Sequence, residues 1–186
     1  MVSLASLWMP ILLSAMVVFV ASSVIHMALS YHKTDFRRMP DEAAAHAALR
    51  SLNLAPGDYM YPFAGSSAEM KDPEFIRRQT EGPISILTVL PSGRPNMGAL
   101  LGKWFVYTVI VSVFAAYVAG IVLAPGTQYL TVFRVAGTVA FTGYALAHWQ
   151  GAIWYGKSVA TTLRQTLDGL IYGALTGGVF GWLWPV

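Results

Sequence analysis

Two histidines and one aspartate hold most of the chemistry this sequence can offer in an apolar setting. His26, His148 and Asp168 each lie in or beside a long apolar run. Ionisable groups are costly in lipid, and where they occur there they often mark function. Two imidazoles and a carboxylate supply the nitrogen and oxygen ligands of a metal ion, and two imidazoles can be the axial ligands of a haem. No pair shows the four-residue spacing of a helical ligand pair: His26 and His32 are six apart, and His148 stands alone in its run. Two readings stay open. One is a metal or haem site, and the other is a structural or proton-handling role in which a histidine bonds to backbone or to Asp168.

Much other chemistry is excluded by residue type. With no cysteine in the chain, disulfides, thiol nucleophiles and thiolate-held zinc or iron–sulfur clusters are ruled out. No His-Glu-x-x-His helix, glycine-rich phosphate loop, Ser-His-Asp order or pair of membrane aspartates is present. Met39, Met60, Met70 and Met97 are scattered, so they suit gap-filling better than copper binding. The expectation is a protein that is not an enzyme.

The elements that must position these residues are helices in a bilayer. Of 186 residues, 55% are hydrophobic and 11% charged, and the mean hydropathy of +0.54 is far above that of a soluble domain. The net charge of +3 is spread between apolar runs rather than gathered on a stripe with aromatics, which argues against a nucleic-acid partner.

Residues 1–32 contain no acid, lysine or arginine, and about 20 apolar residues span the hydrocarbon core. Leu4 to Leu29 is the expected first span. A cleaved signal peptide fits less well, because positive charge follows the run instead of preceding it. A second span near Trp104 to Leu123 ends in Ala124-Pro125-Gly126-Thr127, a turn sequence. Its return runs from about Thr131 to Trp154, and a fourth segment runs from about Gln165 to Trp184.

Lys33, Arg37, Arg38, Arg50, Lys71, Arg77, Arg78, Arg94 and Lys103 fall in or beside the connection after span one, and Lys157 and Arg164 fall between spans three and four. Basic residues stay on the cytoplasmic side, so both termini are expected outside and the long connection inside. The domain reading is 1–32 as first span, 33–103 as cytoplasmic lobe and 104–186 as spans two to four. Lys33, Arg37 and Arg38 are expected to touch anionic lipid, and Arg134, near the outer end of span three, to snorkel to headgroups. Trp8, Trp149, Trp154, Trp182 and Trp184 sit near span ends, as interfacial belts do.

Between Lys33 and Lys103 the chain is too long for a structureless loop. Asp41 to Leu52 predicts a helix after Pro40, and Asp72-Pro73 starts a second, shorter one. Ile84 to Leu90 reads as a strand, with Asp58 to Phe63 as its partner. The fold class is thus an all-α membrane protein of four transmembrane helices, with a small mixed α/β lobe between the first two.

Gly169, Gly173, Gly177 and Gly181 recur at four-residue steps and line one face of span four, with Gly143, Ala147 and Gly151 as a matching set in span three and Ala116 and Gly120 in span two. Small residues at this spacing let helices approach closely in lipid. The stripe serves either packing within the chain or docking of another subunit or a second copy.

Several strings carry a resemblance: Ser6-Leu7-Trp8-Met9-Pro10-Ile11, Ile25-His26-Met27, Asn96-Met97-Gly98, Asp168-Gly169-Leu170-Ile171-Tyr172 and Phe180-Gly181-Trp182-Leu183-Trp184-Pro185. Together they resemble a family of small uncharacterised bacterial four-span inner-membrane proteins. The resemblance implies a bacterial inner membrane and brings no ligand residues. The leading expectation is a non-catalytic accessory or scaffold subunit docking through the glycine stripe. The alternative is a redox, metal- or haem-binding or ion-handling protein using His26, His148 and Asp168.

Overall fold

The computed structural model describes all residues from Met1 to Val186. They form two compact units, Met1–Arg37 with Asn96–Val186, and Arg38–Pro95.

Long helices make up the first unit. A 3-10 turn at Leu4–Leu7 leads into α1, Trp8–Ala28. The second unit then intervenes. Its elements are α2 (Glu42–Ser51), β1 (Gly57–Tyr61), α3 (Pro73–Glu81) and β2 (Ser85–Val89). The chain returns through α4 (Met97–Val122), α5 (Tyr129–Phe141), α6 (His148–Tyr155) and α7 (Val159–Trp182). Leu4–Ala28, Met97–Val122 and Tyr129–Tyr155 are long and apolar enough to cross a membrane. At 24 residues α7 matches them in length, but its glycines, threonines and Asp168 lower its hydropathy.

The long helices turn apolar side chains outward: Val20, Val24, Val106, Ile110, Phe114, Leu163, Leu167 and Leu170 are all exposed. Their inward faces are small or polar. Ala115, Ala116, Ala119, Ala136 and Ala140 are fully buried, and the Ser14 and Ser112 hydroxyls meet at 3.0 Å between α1 and α4. This distribution inverts that of a soluble bundle, and it lets backbones approach where lipid offers no hydrophobic drive between helices.

The glycine stripe is used within the chain. A Cβ on Gly177 would lie 2.6 Å from the Phe133 carbonyl oxygen of α5, one on Gly173 2.9 Å from that of Gly137, and one on Gly169 2.7 Å from Ala145 Cβ. Gly181 lies against Tyr129 in the same way. The row that receives the stripe is thus Gly137, Phe141 and Ala145, not the expected Gly143, Ala147 and Gly151. The two sets are two residues out of step, which puts Gly143 about 200° around the helix from Phe141. Gly143, within a π-turn at Thr142–Leu146, accordingly faces Val111 of α4, and Gly151 faces the Lys157 side chain. Gly156, at φ +63°, ends α6. In α4, Gly120 receives the N-terminal segment, with the Val2 amide donating to its carbonyl at 2.8 Å, while Ala116 is buried in the core beside it.

At one end of this unit the Gly126 amide donates to the Pro185 carbonyl at 2.8 Å and the Trp184 indole to Ala124 at 2.9 Å. Trp184 is therefore buried, whereas Trp8, Trp154 and Trp182 are exposed. Arg134 is exposed and forms no salt bridge, and Lys33 and Arg37 are exposed beside the 3-10 turn Tyr31–Thr34.

In the second unit the caps follow the sequence. Asp41 accepts from the Ala44 amide at the start of α2, and Asp72 accepts from the Glu74 and Phe75 amides at the start of α3, with Pro73 at its first position. Strands β1 and β2 pair antiparallel, Gly57 opposite Val89 and Tyr61 opposite Ser85. Arg38, which begins this unit, is paired with Glu42 at 3.0 Å.

Candidate metal centre

Helix α1 stops at Ala28 because Leu29 turns extended, with ψ of 145°. The following 3-10 turn, Tyr31–Thr34, folds back so that the His32 ring lies over the His26 ring, with centroids 4.4 Å apart and planes 9° from parallel. The six-residue spacing that rules out a helical pair is thus bridged by a reversal of the chain.

Asp168 comes to the same point from α7 and is buried. One ligand atom from each of His26, His32 and Asp168 lies within 4.8 Å of the others. The sequence places His26, His148 and Asp168 at similar depth, and the structure sets His32 beside His26 and Asp168. The usable signal was Ser30-Tyr31-His32 directly after an apolar run that ends in Met27-Ala28-Leu29.

Hydrogen bonds determine which ring nitrogens are free. The Nδ1–H of His26 donates to the Ser22 carbonyl at 2.9 Å, and Nδ1–H of His32 donates to Asp35 Oδ2 at 2.7 Å. The neutral tautomer of each ring therefore leaves its Nε2 lone pair available. Metal-bound histidines are held this way, with the second nitrogen anchored on a carboxylate or a backbone carbonyl. Asp35 is itself held by Arg164 of α7. Burial pushes the Asp35 carboxyl up, but the hydrogen bonds from His32 and Arg164 outweigh it and hold its pKa below the usual range. It is an anion under ordinary conditions.

The Tyr31 hydroxyl donates to Asp168 Oδ1. Burial and the neighbouring carboxylate push that phenol well above its usual pKa, so it stays a donor. Asp168 Oδ2 is left, 2.9 Å from His32 Nε2. Despite that separation the two atoms are not aligned as donor and acceptor, and His32 Nε2 is buried without a hydrogen-bond partner. Ligand atoms sharing one metal at bonds of 2.0–2.1 Å sit about 2.9–3.4 Å from each other and point at the metal rather than at one another. The His32–Asp168 separation lies at the short end of that range.

No family model, curated protein or solved structure matches this chain.

His148 does not join the close trio. Instead, it lines a cavity of about 560 Å³ that also includes His26, Asp168, Trp104, Tyr144 and Tyr172. The three residues singled out from the sequence thus share one cavity, although the tight cluster replaces His148 with His32. Tyr144 reaches this cavity from the π-turn, where the Tyr107 hydroxyl donates to the Gly143 carbonyl at 2.7 Å. The Trp104 indole donates to Ser22 Oγ at 2.7 Å, tying α4 to the turn of α1 that anchors His26.

Proposed function

We propose that this chain is a multi-pass membrane protein that binds a divalent metal ion, zinc or iron(II), through His26, His32 and Asp168. The observation that carries this reading is the buried, unpartnered Nε2 of His32 lying 2.9 Å from an Asp168 oxygen without being aimed at it. Two imidazoles and a carboxylate suit borderline first-row metals and leave coordination positions open. His26 is exposed and held by its Ser22 hydrogen bond, with a ring nitrogen within 4.8 Å of the His32 and Asp168 ligand atoms. The two rings stack too closely to admit a haem between them. With no nucleophile or catalytic motif at the site, the proposal is one of binding and not of catalysis.

The same reading includes four crossings, with both termini outside a bacterial inner membrane and the metal site at the cytoplasmic end. Three helices have the length and hydropathy to cross. In support of a fourth, α7 lies against α5 along the glycine stripe and turns Leu163, Leu167 and Leu170 outward. The basic residues around Lys33, Lys103, Lys157 and Arg164 favour the cytoplasm for the end that carries the site. Docking of another subunit through the α7 glycines is not included, because α5 fills that face.

Elemental analysis of the full chain purified in mild detergent tests the metal. About one zinc or iron per chain is expected, as is its loss in His26→Ala and His32→Ala. A wild-type protein that holds neither metal, and takes up neither from micromolar solution, would sink the reading.

A further inference from the structure

The cavity beside the cluster holds two unexplained groups. Tyr144 and Tyr172 are 5% and 4% exposed, and neither hydroxyl has a hydrogen-bond partner in the protein. Burying a hydroxyl without a partner is unfavourable, and phenylalanine would fill the same wall without that penalty. Both phenols line the 560 Å³ cavity, together with Trp104 and Tyr107. The four rings form one aromatic wall, with centroid separations of 5.4–6.2 Å among their contacts. The π-turn that carries Tyr144 interrupts the regular helix here, as such turns often do at binding sites.

The missing partner must accept hydrogen bonds, and it must reach a cavity between membrane-length helices in which the aromatic wall faces the polar His26, Lys103, His148, Gln165 and Asp168. Carbonyl oxygens satisfy both conditions. A flat ring matches a wall of four aromatic side chains better than a flexible acyl ester does. Gln165 and His148 line the same cavity and offer donors to a second carbonyl. Leu100 and Tyr107 are exposed at its margin, which leaves a lateral way out for an apolar tail. We propose that this cavity binds the ring of a lipid-soluble quinone, one carbonyl taking the hydroxyls of Tyr144 and Tyr172. The assignment stands on the cavity and its two orphan phenols, and it does not require the metal. Lys103 also lines the cavity and would suit a phospholipid phosphate, which makes phospholipid the rival occupant.

Isothermal titration of the full-length protein in detergent with a short-tailed benzoquinone tests this, and the lipids that copurify are identified by mass spectrometry. One saturable site per chain is expected. Tyr144→Phe and Tyr172→Phe should each weaken binding about three- to tenfold, the worth of one hydrogen bond. Neither hydroxyl has a partner to lose, so both variants should melt at or above the wild-type temperature. Binding should also survive chelation and His32→Ala, which separates this result from the fate of the metal reading. The proposal is overturned by absent or unsaturable binding, by phenylalanine variants that bind as wild type does, by loss of binding on chelation, or by a copurified phospholipid that the quinone does not displace.

Discussion

Asp35 is not itself a proposed ligand, yet through its bond to Nδ1 it decides how His32 presents its Nε2. Asp35→Asn keeps an acceptor near Nδ1 but removes the charge that favours one tautomer and raises ligand basicity. Loss of such a supporting carboxylate typically costs 10–100-fold in metal affinity. The expected outcome is a drop of that order, read by competition with a chromogenic chelator, while the melting temperature of the metal-free protein reports separately the weakened Arg164 pair. Equal affinity in Asp35→Asn would mean that the His32–Asp35 contact only staples the 3-10 turn. Arg164 acts one step further out: it holds Asp35 from α7 and so links the turn after α1 to the helix that carries Asp168.

At the scale of elements, the contact between α5 and α7 is set by backbone on both sides. A methyl group at Gly177 meets the Phe133 carbonyl at 2.6 Å, and a backbone oxygen in a helix cannot swing aside. Adjacent Gly178 faces only the Tyr129 hydroxyl, at 3.6 Å, which is ordinary contact. Gly177→Ala should therefore destabilise by about 1–3 kcal/mol through overpacking, while Gly178→Ala should be neutral or slightly stabilising through helix propensity. Thermal unfolding in one detergent compares the pair, and equal shifts would contradict the close approach.

Helix α3 gives a second prediction at this scale, this time in pH. Hydrogen bonds from Arg77 and Arg78 lower the Glu74 carboxyl to about 2 from its ordinary 4.5. A depressed folded-state value means that the stabilisation is fully present above the unfolded value near 4.5 and is lost as pH falls towards 2. Protection of α3 amides, corrected for intrinsic exchange, should fall through that window in wild type and stay flat in Glu74→Gln. The pair is exposed, so the effect is local and screened by salt. No side chain of α2 or α3 is fully buried, so caps and ion pairs hold these helices more than a core does.

For the whole molecule, the decisive question is which ends lie together. The Gly126–Pro185 and Val2–Gly120 hydrogen bonds gather both termini and the α4–α5 turn at one end of the helical unit. With no native cysteine, single cysteines report topology cleanly. Gly126→Cys and Val186→Cys should react with a membrane-impermeant maleimide in intact cells, and Ser66→Cys only after lysis. Labelling of Gly126→Cys but not Val186→Cys before lysis would show that α7 does not cross.

Local rules made much of this fold legible. The apolar runs, the Ala124–Thr127 turn, the Asp41 and Asp72 caps and the β1–β2 pairing follow from neighbours in sequence, because hydropathy, capping and strand alternation act over a few residues. The glycine stripe was legible as a close-packing face, but its partner was not: the receiving row of Gly137, Phe141 and Ala145 includes a large aromatic residue, and the expected Gly143, Ala147 and Gly151 stand two residues out of step with it. The site was half legible. Asp168 and His26 announce themselves as polar groups in apolar runs, whereas His32 enters only because the chain reverses after Ala28 and stacks one imidazole on the other. Tertiary structure alone decided that trio, the Asp35–Arg164 support and the two unpartnered phenols, since each joins groups far apart along the chain through the packing of α1, α4 and α7.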